Sequence, residues 1–212
     1  MSQPPKALLF IATGCQHCPS VLQALSDLVK SGDISQLEVT NIQHAPDIAS
    51  EYNVRSVPWV KIGPFELVGL RSKTELQTWI KRIDDADAMS DYFSELMLSG
   101  EIDKVHQILE KSPATFSALI LLIADEKTTL SVRIGVGAVI EDFSGTEQLK
   151  QYIPDLAKLT QHKETRIRND ACFYLGLSQD EEARQYIDPL LNDENAEVRE
   201  IAEDALQELS EN

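Results

Sequence analysis

Cys15-Gln16-His17-Cys18, followed by Pro19, places two thiols three positions apart at the threshold of an amphipathic run. Thiols at that spacing can close a small disulfide when the turn opens a helix. About forty residues on comes Val57-Pro58, an X-Pro step of the kind where a cis peptide can cover such a disulfide. Together the two features point to thiol–disulfide exchange. The other chemistry open to a Cys-x-x-Cys turn is half of a zinc site. A zinc site needs further ligands, and neither a second Cys-x-x-Cys nor a His-x-x-x-His occurs in the chain. His44, His106 and His162 are scattered, so neither a metal nor another bound cofactor is implied.

The elements that must hold these residues can be read on either side of them. Ala7 to Ala12 is a continuous apolar run, as for a strand buried on both faces. Pro19 suits a first helical turn, and Val21, Leu22, Leu25, Leu28 and Val29 recur at helical spacing until Ser31-Gly32-Asp33. Leu37 to Ile42 reads as a strand and Ala45 to Tyr52 as a short helix. Trp59 to Ile62 and Glu66 to Leu70 read as a hairpin about Gly63-Pro64, and Thr74 to Ile83 as a helix. The order is β-α-β-α-β-β-α, with the first two strands parallel.

That order, with Cys-x-x-Cys after the first strand and Val-Pro before the third, resembles the thioredoxin/glutaredoxin fold. The nearest likeness is to the N-terminal redox domain of the alkyl hydroperoxide reductase flavoprotein subunit. It rests on Cys15-x-x-Cys18-Pro19-x-Val21-x-Gln23-Ala24-Leu25 and on Asn53-Val54-x-x-Val57-Pro58, within roughly residues 5–83. The resemblance implies that Cys15 is the exposed nucleophile and Cys18 the buried resolving thiol. It implies that Pro58, in cis, packs on the sulfurs and holds an extended substrate segment. Val57 and Trp59, on either side of Pro58, are the expected substrate-contacting residues, with plain packing as the other reading of Trp59. A thiolate at a helix N-terminus meets unpaired N–H groups and the positive end of the dipole, which favours nucleophilic attack. An imidazolium at His17 would stabilise that thiolate and make the pair more oxidising; otherwise His17 is a solvated turn residue.

The chain departs from the thioredoxin pattern in ways that bear on substrate. Gly14 stands where thioredoxins usually carry Trp, and Leu9 where they carry a buried Asp. The Lys that partners that Asp would fall near Val39. The usual internal proton acceptor for Cys18 is therefore missing, which favours a dedicated protein substrate over general thioredoxin activity.

Charge divides the 212 residues in two. The net charge is −16, yet residues 1–84 carry acidic and basic side chains in equal number. All of the excess acid lies in 85–212, so two modules are expected, 1–84 and 85–212. An acidic surface excludes phosphate-backbone binding and suits a basic protein partner. No apolar run reaches the ~20 residues of a membrane span, and the short stretch after Lys6 is no signal peptide, so a cytoplasmic protein is expected.

The second module reads as helices with short breaks. Gln151-Tyr152-Ile153 recurs as Gln185-Tyr186-Ile187, and Val132-Arg133, Ile167-Arg168 and Val198-Arg199 form a second series. Each apolar-Arg step is one unit of helix, turn and helix, which looks like a short HEAT repeat. The resemblance implies that Arg133, Arg168 and Arg199 pair with acids of neighbouring units. Cys172 aligns with Gly137 and Glu203, so it is expected to be less buried than a core cysteine and to act as a simple structural thiol. Helical repeats form extended protein-binding surfaces. Two readings follow. One is a thiol–disulfide oxidoreductase whose protein disulfide substrate docks on the repeats, with a flavoprotein reductase as electron donor. The other is an adaptor whose dithiol is a redox switch.

Overall fold

The apolar run after the first lysine is the inner strand of a four-stranded sheet. In the computed structural model, which describes residues 3–85 and 87–211, strand β1 (Lys6–Ile11) lies between β2 (Gln36–Asn41) and β3 (Trp59–Ile62). β4 (Phe65–Val68) completes the order β2-β1-β3-β4. β1 pairs in parallel with β2 and antiparallel with β3, and Leu9 and Phe10 are wholly buried. An inner strand covered on both faces needs apolar residues in succession, which is why the alternation of a half-exposed strand is absent.

Helix α1 (Cys18–Ser31) supplies the crossover from β1 to β2. It buries Val21, Leu25 and Leu28 and ends at Gly32, whose φ of 80° lets its N–H reach the carbonyls of Leu28 and Val29. That left-handed cap costs glycine nothing. Helix α2 (Pro46–Glu51) follows β2, and α3 (Lys73–Lys81) follows the β3–β4 hairpin. Ser72 and Glu75 close a reciprocal capping box at the start of α3. The observed order is the expected β-α-β-α-β-β-α, a thioredoxin-like fold, and a helical unit follows it.

By its contacts the chain divides into Met1–Ala88 and Met89–Asn212. The helices continue as α4 (Ala88–Leu98), α5 (Ile102–Lys111), α6 (Ser117–Ala124), α7 (Leu130–Glu141), α8 (Glu147–Lys150) and α9 (Ile153–Leu159). They end with α10 (Thr165–Leu177), α11 (Arg184–Ile187) and α12 (Ala196–Glu211). Among the described residues no helix is long and apolar enough to cross a membrane.

Arginines organise the later helices. Arg168 donates from Nη1 to the carbonyls of His162 and Lys163 at 2.9 and 3.1 Å. Arg199 donates in the same way to Asp193 and Glu194 at 2.7 and 3.2 Å. Each closes the turn leading into its own helix. Arg168 also grips the Asp193 carboxylate through Nε and Nη2, both at 2.8 Å, across to the next helical pair. Arg133 pairs with Asp170 on α10 and donates to the Arg166 carbonyl, whereas Arg199, among the described residues, has no ion pair with an acid of another unit, its guanidinium being spent on carbonyls. The backbones of α10 and α12 nearly touch, since a Cβ on Gly176 would lie 2.9 Å from the Cβ of Ala205 and 3.1 Å from its Cα.

Cys172 corrects its expectation, being completely buried. α10 packs against α6, α7, α9 and α12 together, so its residues are covered on sides that stay open at the aligned positions of α7 and α12.

Two stability outcomes are expected. Gly176→Ala forces α10 and α12 apart and lowers stability by about 1–3 kcal/mol, read as a fall in the urea midpoint of the helical unit. Asp193→Asn leaves Arg168, whose side chain is 8% exposed, with only the exposed Glu194 carboxylate, 3.7 Å away, at a cost of about 3 kcal/mol near pH 7. Hydrogen bonds from Arg168, and then the Asn195 amide, hold the Asp193 carboxyl below its usual value. This contribution is complete above the unfolded carboxylate value of about 3.9 and drains away as pH falls through the lower folded value. The gap between wild type and variant should therefore narrow as pH falls below the unfolded carboxylate value of about 3.9.

Candidate active site

The reactive turn is built by the end of β1 and the start of α1. Gly14 has a φ of 80° with open space around its missing side chain, so the position demands a left-handed backbone rather than a small residue. A tryptophan there would be strained. The Cys15 amide donates to the Ala12 carbonyl at 3.2 Å. The Asn41 side chain, at the end of β2, donates to Thr13 Oγ1 at 3.2 Å and ties the turn to the neighbouring strand.

Cys15 and Cys18 form a disulfide with their Cα atoms 5.5 Å apart. Cys15 is half-buried, whereas Cys18 is 4% exposed. The Cys18 amide points at Cys15 Sγ from 3.1 Å. That amide belongs to the first turn of α1, so it and the helix dipole act on the outer sulfur. His17 occupies the N-cap position of α1, exposed and making no capping bond.

Val57-Pro58 is a cis peptide, and the Val57 carbonyl oxygen lies 3.8 Å from Cys15 Sγ. Pro58 is buried and its carbonyl accepts from the Gly69 amide at 2.9 Å. Sequence reasoning named Cys15, His17, Cys18, Val57 and Pro58, and the structure gathers Cys15, Cys18 and Val57 around one sulfur. Trp59 lies elsewhere than expected for a groove residue. It is 2% exposed and packs against Phe10 and Tyr52, with ring centroids 5.1 and 5.7 Å away. Both faces of the sheet are covered at this level, since Val60, on the opposite face, is wholly buried as well.

The sequence reading missed Gly69-Leu70. The Gly69 amide is bonded to Pro58, and Leu70 is 55% exposed beside it. The available signal was a glycine ending the fourth strand, where a φ of 84° turns the chain. Leu9 is wholly buried, with Val39 and Val60 as its register neighbours, so that level of the sheet holds neither a carboxylate nor an ammonium group.

A redox-type disulfide at the mouth of a first helix, beside a cis-proline on a β-α-β-α-β-β-α frame, defines the thioredoxin class. A thioredoxin-domain family model matches residues 7–81. A thioredoxin of Methanocaldococcus jannaschii is 30% identical over 79 residues, spanning 36% of this chain and 93% of that protein. The chain belongs to the thioredoxin family through its first unit, which an all-helical region follows.

Cys172 stands apart from this chemistry. Burial, and then the charge of Asp193, push its thiol up to about 12. In reduced native protein, Ellman's reagent should therefore titrate Cys15 and Cys18 while Cys172 reacts only after denaturation. A third native thiol would show that Cys172 is accessible.

Proposed function

We propose that the chain is a thiol–disulfide oxidoreductase acting on a particular protein. In this reading residues 1–84 do the chemistry, and residues 85–212 form a HEAT-like array that holds the substrate. The observation that carries it is the Cys18 amide directed at Cys15 Sγ from 3.1 Å. A thiolate at Cys15 receives that hydrogen bond and the helix dipole, so it is the better nucleophile of the pair.

The reaction balances within the two thiols. The Cys15 thiolate attacks one sulfur of the substrate disulfide, and the other leaves as a thiolate that takes up a proton. Cys18, once deprotonated, attacks Cys15 Sγ. The substrate's second thiol departs, and the Cys15–Cys18 disulfide holds the two electrons' worth of oxidation. The Val57 carbonyl, 3.8 Å from Cys15 Sγ, is placed to accept from an extended substrate backbone. Val57 and Pro58 are the clamp, with Leu70 as a neighbouring apolar contact. A dithiol reductase of the flavoprotein class is the expected electron donor, in keeping with the likeness to the alkyl hydroperoxide reductase domain, in a reducing cytoplasm.

The HEAT-like reading is supported by the paired duties of Arg168 and Arg199 and by the Arg168–Asp193 rung between successive helical pairs. The second functional reading, a redox-switched adaptor, is favoured by the apolar Leu9 level of the sheet. Without an internal base the resolving step is slow, as befits a switch.

The test is reduction of insulin and of a small mixed disulfide with dithiothreitol, comparing wild type with Cys15→Ser. Acceleration by wild type alone supports the oxidoreductase; equal rates from about pH 6 to 8 support the adaptor. His17→Ala should make the pair more reducing by on the order of 30 mV, a tenfold change in its exchange equilibrium with glutathione. An unchanged equilibrium would reduce His17 to a solvated turn residue.

A further inference from the structure

Two large aliphatic side chains on α7 stand in solvent: Leu130 is 72% and Ile134 65% exposed. They are one turn apart, and Ala138, a turn further along, is exposed as well. Val132, Val136, Val139 and Ile140 already bury the inner side of the helix. The outer ridge is thus not needed for the fold, and charged residues there would keep it soluble.

The ridge runs into a concavity. Ala138 is also one wall of a groove of about 500 Å³ between α5 and α7. The groove carries Asp103 and Glu110 from α5, and Asp142 and Phe143 from just beyond α7. His106 Nε2 lies 3.3 Å from the Asp142 carboxylate, and its ring stacks on Phe143 with planes 8° apart. Among the described residues neither Asp103 nor Glu110 has an ion pair. An aliphatic ridge and an acidic, aromatic-floored groove therefore meet at Ala138.

We infer that ridge and groove are one docking surface for a partner segment that is both aliphatic and basic. Its apolar side chains cover Leu130 and Ile134. A neighbouring Lys or Arg enters the groove with its stem along Ala138 and Phe143 and its charge toward Asp103 and Glu110. The charge of the chain selects this occupant. The net −16 lies wholly in the part that carries the surface, so an acidic segment, or a second copy of the chain, would meet repulsion. This deepens the proposal that the helical unit holds the protein substrate, by stating what kind of segment it takes.

The test uses the full chain and a fluorescein-labelled synthetic helix of Leu and Lys, about 18 residues or five turns long, with its Leu/Glu counterpart as control. Fluorescence anisotropy should show the Leu/Lys helix binding and the Leu/Glu helix failing to bind. Ile134→Ser, and separately Asp103→Asn with Glu110→Gln, should each weaken binding about tenfold. Glu181→Gln with Glu182→Gln, which removes equal charge from another stretch, should leave binding unchanged. The inference is overturned if Ile134→Ser binds like wild type, or if Glu181→Gln with Glu182→Gln costs as much as the groove pair. It is equally overturned if wild type sediments as a dimer that Ile134→Ser dissociates. Reduction of a small-molecule mixed disulfide by wild type against Cys15→Ser reads the thiol chemistry separately, so failed docking would leave the oxidoreductase reading standing.

Discussion

The amide of Cys18 aimed at the sulfur of Cys15 is the interaction around which the first unit is arranged. It exists because the two cysteines straddle the point where extended chain becomes helix, and the opening amides of a helix have no carbonyl of their own to meet. Gly14 allows the sharp turn into that point, Pro19 follows it without wasting an N–H, and the buried side of α1 anchors the helix on the sheet. The Val57 carbonyl then approaches the same sulfur from a different part of the chain. The outer sulfur, the amide aimed at it and the neighbouring carbonyl thus come from segments about forty residues apart, held together by strand β1 between its two partners.

The helical unit depends on a different constraint, the close approach of backbones. Gly176 facing Ala205 leaves no room for another methyl group, and the guanidinium of Arg168 fills its polar surroundings with a carboxylate and two carbonyls. A nearly buried cation is tolerable only when its donors are satisfied this fully. Successive helical pairs are thereby stacked on one another, and the outward sides of the helices remain available for contacts with other molecules.

Much of the first unit was legible in the amino acids. Pro19 and Gly32 bracket α1, and the unbroken apolar run marks an inner strand. Cys-x-x-Cys with Val-Pro identifies the reactive turn. The boundaries of α1, of α3 and of the hairpin shifted by a residue or two, since caps and fraying decide them. Trp59 and Cys172 were harder. Whether Trp59 faces a groove or the core depends on Phe10 and Tyr52, which cover it from elsewhere in the chain, and the burial of Cys172 depends on how many helices surround α10. Gly69-Leu70 escaped notice because its importance comes from a hydrogen bond to Pro58 formed only when the hairpin closes.

Local chemistry in the chain was enough to establish the helix start, the dithiol spacing, the order of strands and helices and the uneven division of charge. Each of these follows from a residue's own backbone preference or from side-chain periodicity within a few turns. Tertiary structure alone decided that Trp59 is enclosed in the core and that the Val57 carbonyl stands beside the Cys15 sulfur. It also decided which arginines find an acid on a later helical pair, and which aliphatic residues of α7 are left uncovered. Those outcomes depend on contacts between segments distant in sequence, whose distances are set only when the sheet and the helices pack.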